Sequence, residues 1–216
     1  MEQGFWHNRW RDGQIGFHEA AANQYLVAQW AGLELAKNAR ILVPLCGKSV
    51  DLLYLQALGH EVVGVELSPM ACEAFFVENE LRCDREVRGA YMAFVGTGAA
   101  TGITILCGDF FLLDPETAGV FDGVYDRAAI VALPTKMRED HVATVAKLVR
   151  PGGRGLLTTL SYPETEHAGP PFSVPPEEVK SRLNARFRIE PLATVEVPPR
   201  WEVSWLREHQ FALTRR

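Results

Sequence analysis

Residues 39–69, ARILVPLCGKSVDLLYLQALGHEVVGVELSP, decide the fold. Arg40 to Leu45 is an apolar run that reads as a buried strand, Cys46-Gly47-Lys48 is a tight turn, and about Ser49 to Leu58 has helical spacing. Glu61 to Val65 is a second buried strand that ends on an acid, Glu66. This is a βαβ unit with a glycine turn after its first strand and a carboxylate after its second. In doubly wound α/β folds that layout holds an adenosine-containing ligand. The turn lets backbone approach the ligand, and an acid about twenty residues on accepts hydrogen bonds from the ribose hydroxyls.

Downstream, strands continue to alternate with helices. Pro69 to about Glu80 reads as a helix with Pro69 in its first turn and Ser68 as N-cap. Gly89 to Gly108 carries no charge and passes a crude membrane-span length test, but its glycines and threonines read instead as two strands, Tyr91 to Val95 and Ile103 to Cys107, around a glycine-rich turn. The GTGAATG inside it leads into a β-branched strand rather than a helix, which excludes a nucleotide loop. Asp109 and Phe110 follow that strand, an acid and a ring where a purine would be read; an N-cap or turn role accounts for Asp109 nearly as well. Phe121 to Tyr125 is a short strand ending in Asp126-Arg127, Thr135 to Leu148 is a helix, Arg150 to Gly153 is a tight turn, and GRGLLTTLSY is a further buried strand. Ligands of such a sheet belong at the C-terminal ends of its strands.

The two ends of the chain differ from this core. Before Lys37, apolar residues recur at helical spacing in two pieces, Phe5, Trp6 and Trp10, then Tyr25, Leu26, Trp30 and Leu33, with Phe17 and His18 between them. Helices packed on the sheet and an aromatic lid over a flat ligand explain this pattern equally well. After the core, Pro163 to Pro176 is a proline-rich loop long enough to wall a site, and Glu177 to Leu183 is a short helix. RFRIEPLATVEV and the run WEVSW to QFALT alternate with period two, which predicts a terminal antiparallel pair. The chain thus reads as one domain: residues 1–37 as a helical lid, 38–161 as the ligand-binding core, and 162–216 as a loop and hairpin.

Composition narrows the partner. With 27 acidic and 22 basic residues the chain has a formal charge of −5, so it lacks the basic face of a nucleic-acid binder and a small molecule is expected. Four cysteines form no C-x-x-C pair and six histidines are scattered, so neither a metal site nor a disulfide framework is predicted. MEQGFWHNRWRDG has no continuous apolar core of the kind a signal peptide needs, and a reducing cytoplasm with no membrane partner is expected.

Three nucleotide ligands compete for the opening unit. CGKS resembles the end of a Walker A loop, but Leu42 stands where that loop needs its first glycine. A dinucleotide site wants G-x-G-x-x-G against a helix N-terminus, and only Gly47 is present. S-adenosylmethionine carries no phosphate. It needs close backbone approach, a ribose acid and an adenine pocket, and Gly47, Glu66 and Asp109 fit it best.

The motifs then carry a resemblance along nearly the whole chain. They are W-x-x-x-W-x-x-x-x-I-G-F-H (Trp6 to His18), V-P-L-C-G-K-S (Val43 to Ser49), G-H-x-V-x-G-V-E-L-S (Gly59 to Ser68), C-G-D-F-F (Cys107 to Phe111), Y-D-R-A-A (Tyr125 to Ala129) and G-P-P-F-S-V-P (Gly169 to Pro175). Together they resemble the thiopurine S-methyltransferase family, particularly its bacterial members. The resemblance implies a Rossmann-like seven-stranded methyltransferase sheet with helices on both faces, an antiparallel last strand and an N-terminal lid. It implies that Trp10, Leu45, Glu66 and Arg127 contact S-adenosylmethionine, that Gly47 lies at the cofactor turn, and that Gly108, Asp109 and Phe110 line the adenine pocket. Phe17, His18, Pro170, Pro171 and Arg127 would face the acceptor, with Arg200 the nearest match to a second substrate-facing arginine.

The implied reaction is in-line attack of an aromatic thiolate on the activated methyl group, leaving S-adenosylhomocysteine. A heteroaromatic thiol ionises readily, so no general base is assigned. Orientation at about 3–3.5 Å does most of the work. A close variant would methylate inorganic selenium or tellurium species, and a different class would be a catalytically silent adenosine-ligand module. A monomer is expected.

Overall fold

The computed structural model describes residues 3–216. Helices α1 (Gln3–Arg11) and α2 (Gln24–Gln29) precede the sheet, and a 3-10 turn, Trp30–Leu33, continues α2. The deciding stretch folds as β1 (Arg40–Pro44), α3 (Asp51–Ala57) and β2 (Glu61–Glu66), followed by α4 (Pro69–Glu78). Then come β3 (Arg82–Arg88), β4 (Tyr91–Thr97), β5 (Ile103–Cys107), the short α5 (Pro115–Ala118), β6 (Phe121–Arg127) and α6 (Thr135–Leu148). The chain ends with β7 (Val149–Ser161), α7 (Pro176–Leu183), β8 (Phe187–Val197) and β9 (Leu206–Arg215).

All nine strands join one sheet in the order β3-β4-β5-β2-β1-β6-β7-β9-β8. The run β5-β2-β1-β6-β7 is parallel, β9 inserts antiparallel between β7 and β8, and β4 runs antiparallel to β5. The strand order reverses around β1, so the ligand crevice of a doubly wound sheet falls beside the turn that follows it. The seven expected strands are therefore present, and β3 and β4 lengthen the sheet at one edge.

Alternation along the central strands sorts the core onto two faces. Ile41, Val43 and Val62 pack with Leu26, Trp30, Leu52, Leu55 and Phe75 from α2 through α4. Leu42, Val63 and Val65 pack on the other face with Val142 and Val145 of α6 and Val179 of α7. Truncating a fully buried leucine such as Leu52 to alanine costs about 2–5 kcal/mol in cores of this kind.

Several local expectations are corrected. RCDREVR, left unassigned by the sequence pattern, forms β3, a largely exposed edge strand whose one side carries Cys83 and Val87 around Arg85. Ser68 makes no side-chain cap on α4, because its environment is set by Glu66, whose Oε1 takes the Ser68 N–H at 2.7 Å. Arg150 to Gly153 does not end in a free turn but is drawn into β7 with a register shift between Phe121 and Gly123 on the neighbouring strand. WEVSW is not strand: Trp201 leaves the ladder to stack on His167, with ring centroids 5.0 Å apart. Among the described residues no helix is long and apolar enough to cross a membrane.

Candidate active site

A cavity of about 790 Å³ opens at the C-terminal ends of the central strands. Its best-defined wall is the turn after β1. Leu45 and Gly47 both take left-handed backbone, with φ of 47° and 55°. Such a conformation is strained for leucine by on the order of 1–3 kcal/mol, and it persists only where the surroundings enforce it. The turn is fastened across the strand ends: the Gly47 N–H donates to Glu66 Oε2 at 2.9 Å while Ser68 N–H binds the other oxygen. Each carboxylate oxygen has a second lone pair, so Glu66 can still accept hydrogen bonds from a ligand. Burial pushes the Glu66 carboxyl up to about 7, against the pull of the Ser68, Gly47 and Leu67 N–H groups.

The aromatic N-terminal residues close over this turn. A Cβ on Gly47 would lie 3.1 Å from the Trp10 ring, so the missing side chain lets the indole approach. Trp10 and Trp6 meet Phe17 edge-on at centroid distances of 5.6 and 6.0 Å, and all three rings line the cavity. His18 also lines it, with its pKa lowered by burial and then by the nearby Lys48 ammonium, so its imidazole is neutral at pH 7.

Toward β5, Phe110 is buried with a face on the cavity, and Asp109 accepts the Phe111 N–H at 2.9 Å while its backbone carbonyl takes the Tyr91 hydroxyl at 2.7 Å. Gly108 does not belong to this wall. Its would-be Cβ falls 2.5 Å from the Tyr91 ring, and its N–H extends the ladder to the Glu66 carbonyl at 2.9 Å. Its glycine character serves packing behind the site.

Toward β6 the chain supplies Arg127. Its guanidinium forms an ion pair with Glu19 and donates to the Phe17 carbonyl at 3.2 Å. The acids adjacent in sequence are engaged elsewhere, Asp122 with Arg150 at 2.7 Å and Asp126 with His141 at 2.6 Å. Beside Arg127, the Tyr125 hydroxyl donates to Asp51 Oδ2 at 3.0 Å, and the Asn23 N–H donates to Asp51 Oδ1 at 2.7 Å. Beyond β7 the wall is made by Thr158, Leu160, Pro170, Pro171 and Trp201, with Arg200 paired to Glu208 at 2.8 Å.

Trp10, Leu45, Gly47, Glu66, Asp109, Phe110, Phe17, His18, Arg127, Pro170, Pro171 and Arg200 thus all line one cavity. Sequence reasoning missed Glu19, Asp51, Trp201 and Glu208. Only Asp51 carried a local signal, an acid just past the glycine turn. Among the described residues no group of metal-ligating side chains is assembled.

Strand order and the position of the buried acid at the end of β2 define an S-adenosylmethionine-dependent methyltransferase of the Rossmann-like class. The fold is shared with magnesium protoporphyrin IX methyltransferase from Synechocystis, solved with bound S-adenosylhomocysteine (TM-score 0.69, 13% identity, all of both chains covered). It is likewise shared with a Burkholderia thailandensis 1,6-didemethyltoxoflavin-N1-methyltransferase (TM-score 0.65, 18% identity, 99% of this chain and 86% of that one). At these identities the likeness shows the fold alone. Within that class the chain belongs to the thiopurine S-methyltransferase family, whose model matches residues 1–216. It is 44% identical to the thiopurine S-methyltransferase of Pseudomonas entomophila over the whole of both chains, and 43% identical to that of Pseudomonas aeruginosa, again in full.

Proposed function

We propose that the cavity holds S-adenosylmethionine with its adenosine end between Glu66 and Phe110, and passes the methyl group to the sulfur of an aromatic thiol such as a thiopurine. The observation that carries this reading is the Glu66 carboxylate, buried at a strand end, braced by two backbone N–H groups and still able to accept from a diol. The cavity volume of about 790 Å³ lies in the range of small-molecule sites, large enough for two ligands in contact. When bound, the cofactor supplies an activated electrophilic methyl group.

The chain's own residues orient the partners and exclude water. Glu66 holds the ribose, the Leu45–Gly47 backbone and Trp10 flank the cofactor, and Phe110 and Asp109 border the adenine. Phe17, Trp201, Pro170 and Pro171 offer flat apolar walls to a ring. Arg127 and Arg200 provide cations near the anionic sulfur, which favours the ionised nucleophile. His18 serves as a positioned neighbour, since a heteroaromatic thiol that ionises readily needs no general base. These walls come from one chain, so in this reading a monomer suffices, and a reducing cytoplasm suits its free cysteines.

The aromatic lining favours a planar acceptor over an inorganic selenium or tellurium anion, and the apolar walls at Phe17, Pro170, Pro171 and Trp201 are surplus to a silent adenosine binder. A methyl-transfer assay with 6-mercaptopurine, selenite and tellurite run in parallel tests this. The thiopurine is expected to yield methylated product and S-adenosylhomocysteine in equal amounts. Failure to bind S-adenosylmethionine and its demethylated product would sink the reading.

A further inference from the structure

Asp51 is a carboxylate without a cation. It is 2% exposed yet lines the cavity, and its two oxygens take neutral donors only, the Asn23 N–H at 2.7 Å and the Tyr125 hydroxyl at 3.0 Å. The other acids at this end are otherwise matched. Glu19 has Arg127, Glu208 has Arg200, and Glu66 has its pair of backbone N–H groups. No ion pair to Asp51 occurs among the described residues. A buried carboxyl group held only by neutral donors gains from a positive partner. Glu66, which also lacks a cation, faces the ribose hydroxyls in the reading above, whereas Asp51 has no such role.

Its place along the strand ends says which part of a ligand would supply that partner. Neighbouring strands lie about 4.8 Å apart, and their order here is β5, β2, β1, β6, β7. Phe110 follows β5, Glu66 ends β2, the Leu45–Gly47 turn follows β1, and Tyr125 lies on β6. With adenine and ribose at the first two positions, the rest of the cofactor runs across the turn after β1 toward β6. Asp51 stands there, four residues beyond Gly47 and bonded to Tyr125.

Resting on the cofactor reading above, we infer that Asp51 receives the α-ammonium group of the cofactor's amino-acid tail. The carboxylate then has a cation on its cavity side and its two neutral donors behind it. Asn23 belongs to the segment whose Glu19 pairs with Arg127, and its side chain donates to Glu19 at 3.2 Å. The same contact therefore senses the tail and steadies the lid. Asp51 is a positioning and binding residue, with no part in breaking or making bonds.

Calorimetry on the full chain with S-adenosylhomocysteine and with 5′-methylthioadenosine, which keeps the adenosine and sulfur but lacks the amino-acid tail, separates the possibilities. Asp51→Asn is expected to weaken S-adenosylhomocysteine roughly 10- to 150-fold and to leave 5′-methylthioadenosine within about threefold of wild type. Tyr125→Phe removes a neutral bond to Asp51 without touching its charge, and is expected to preserve the wild-type ratio of the two affinities. Equal weakening of both ligands by Asp51→Asn, or the same change of ratio in Tyr125→Phe, would make the role structural and overturn the inference. Unchanged S-adenosylhomocysteine affinity in Asp51→Asn would overturn it too. A wild-type protein that binds neither ligand would instead bring down the cofactor reading itself.

Discussion

The two ends of the cavity are built by different means. The end proposed for adenosine is anchored on one short piece of chain: Glu66 and Gly47 are 19 positions apart and joined directly by a hydrogen bond. The acceptor end is stitched from distant pieces, Glu19 to Arg127 across 108 positions and the Phe17 carbonyl to Arg127 across 110. At the first end backbone groups hold one carboxylate, and at the second charged side chains hold one another. A site fixed by backbone keeps its shape when a ligand leaves. One fixed by ion pairs between a lid and a core can exchange partners.

This contrast can be broken by mutation, with the largest effect at the backbone-held end. Glu66→Ala removes the acceptor proposed for the two ribose hydroxyls and leaves the N–H groups of Gly47 and Ser68 unpaired. Calorimetry should show at least about a 200-fold loss of cofactor affinity, since hydrogen bonds to a charged group contribute about 1.5–3 kcal/mol each. An affinity within tenfold of wild type would move the ribose elsewhere. Arg127→Ala, at the boundary of the two ends, should lower kcat/KM for a thiopurine about 30-fold, with Arg127→Lys recovering little because one ammonium cannot replace a forked donor.

The charge on Glu66 gives a smaller, pH-dependent effect. Burial raises its carboxyl from 4.5 to about 7, while ribose hydroxyls that donate to it favour the ionised form. Binding below neutrality must then release a proton, and cofactor affinity should fall about tenfold from pH 8 to pH 6; Glu66→Gln should flatten that profile. Stability of the free protein follows the opposite sign. The contribution of the raised carboxyl is complete below about 4.5 and is lost as pH rises through about 7, so the melting temperature of the free protein should drift down over that window. The smallest effect is expected at the lid. Glu19→Gln takes the competing carboxylate from Arg127, and KM for an anionic thiol should fall about threefold with kcat unchanged. A rise in KM would mean that Glu19 holds Arg127 in place rather than competing for it.

What was legible in the sequence follows the same division. Buried strands with flanking glycines, the α6 helix over Thr135–Leu148 and the acid ending β2 are local patterns, and they appear where their periodicity puts them. β3 is hard to read because RCDREVR carries only Cys83 and Val87 on one side, interrupted by Arg85; it gains strand structure from seven paired positions with β4. Arg127 is legible as a site residue, but its sequence neighbours Asp122 and Asp126 pair elsewhere, with Arg150 and His141. Its partner, Glu19, is a neighbour only after folding. Gly108 enters the adenine pocket only through the family resemblance, and in the structure the group packed against it is Tyr91.

The N-terminal segment has a consequence for the order of assembly. Phe17 and Glu19 are synthesised before Arg127, and Tyr25 before Glu208, the acid that together with burial raises its hydroxyl pKa to about 12. A chain that has emerged only as far as β2 already carries the turn on which Trp10 rests and the Asp51 that takes the Asn23 N–H, but neither Arg127 nor Glu208. The first part made thus completes its contacts last, when β6 supplies Arg127 to Phe17 and Glu19. The cavity wall is complete only once the chain has passed Arg200, Trp201 and Glu208.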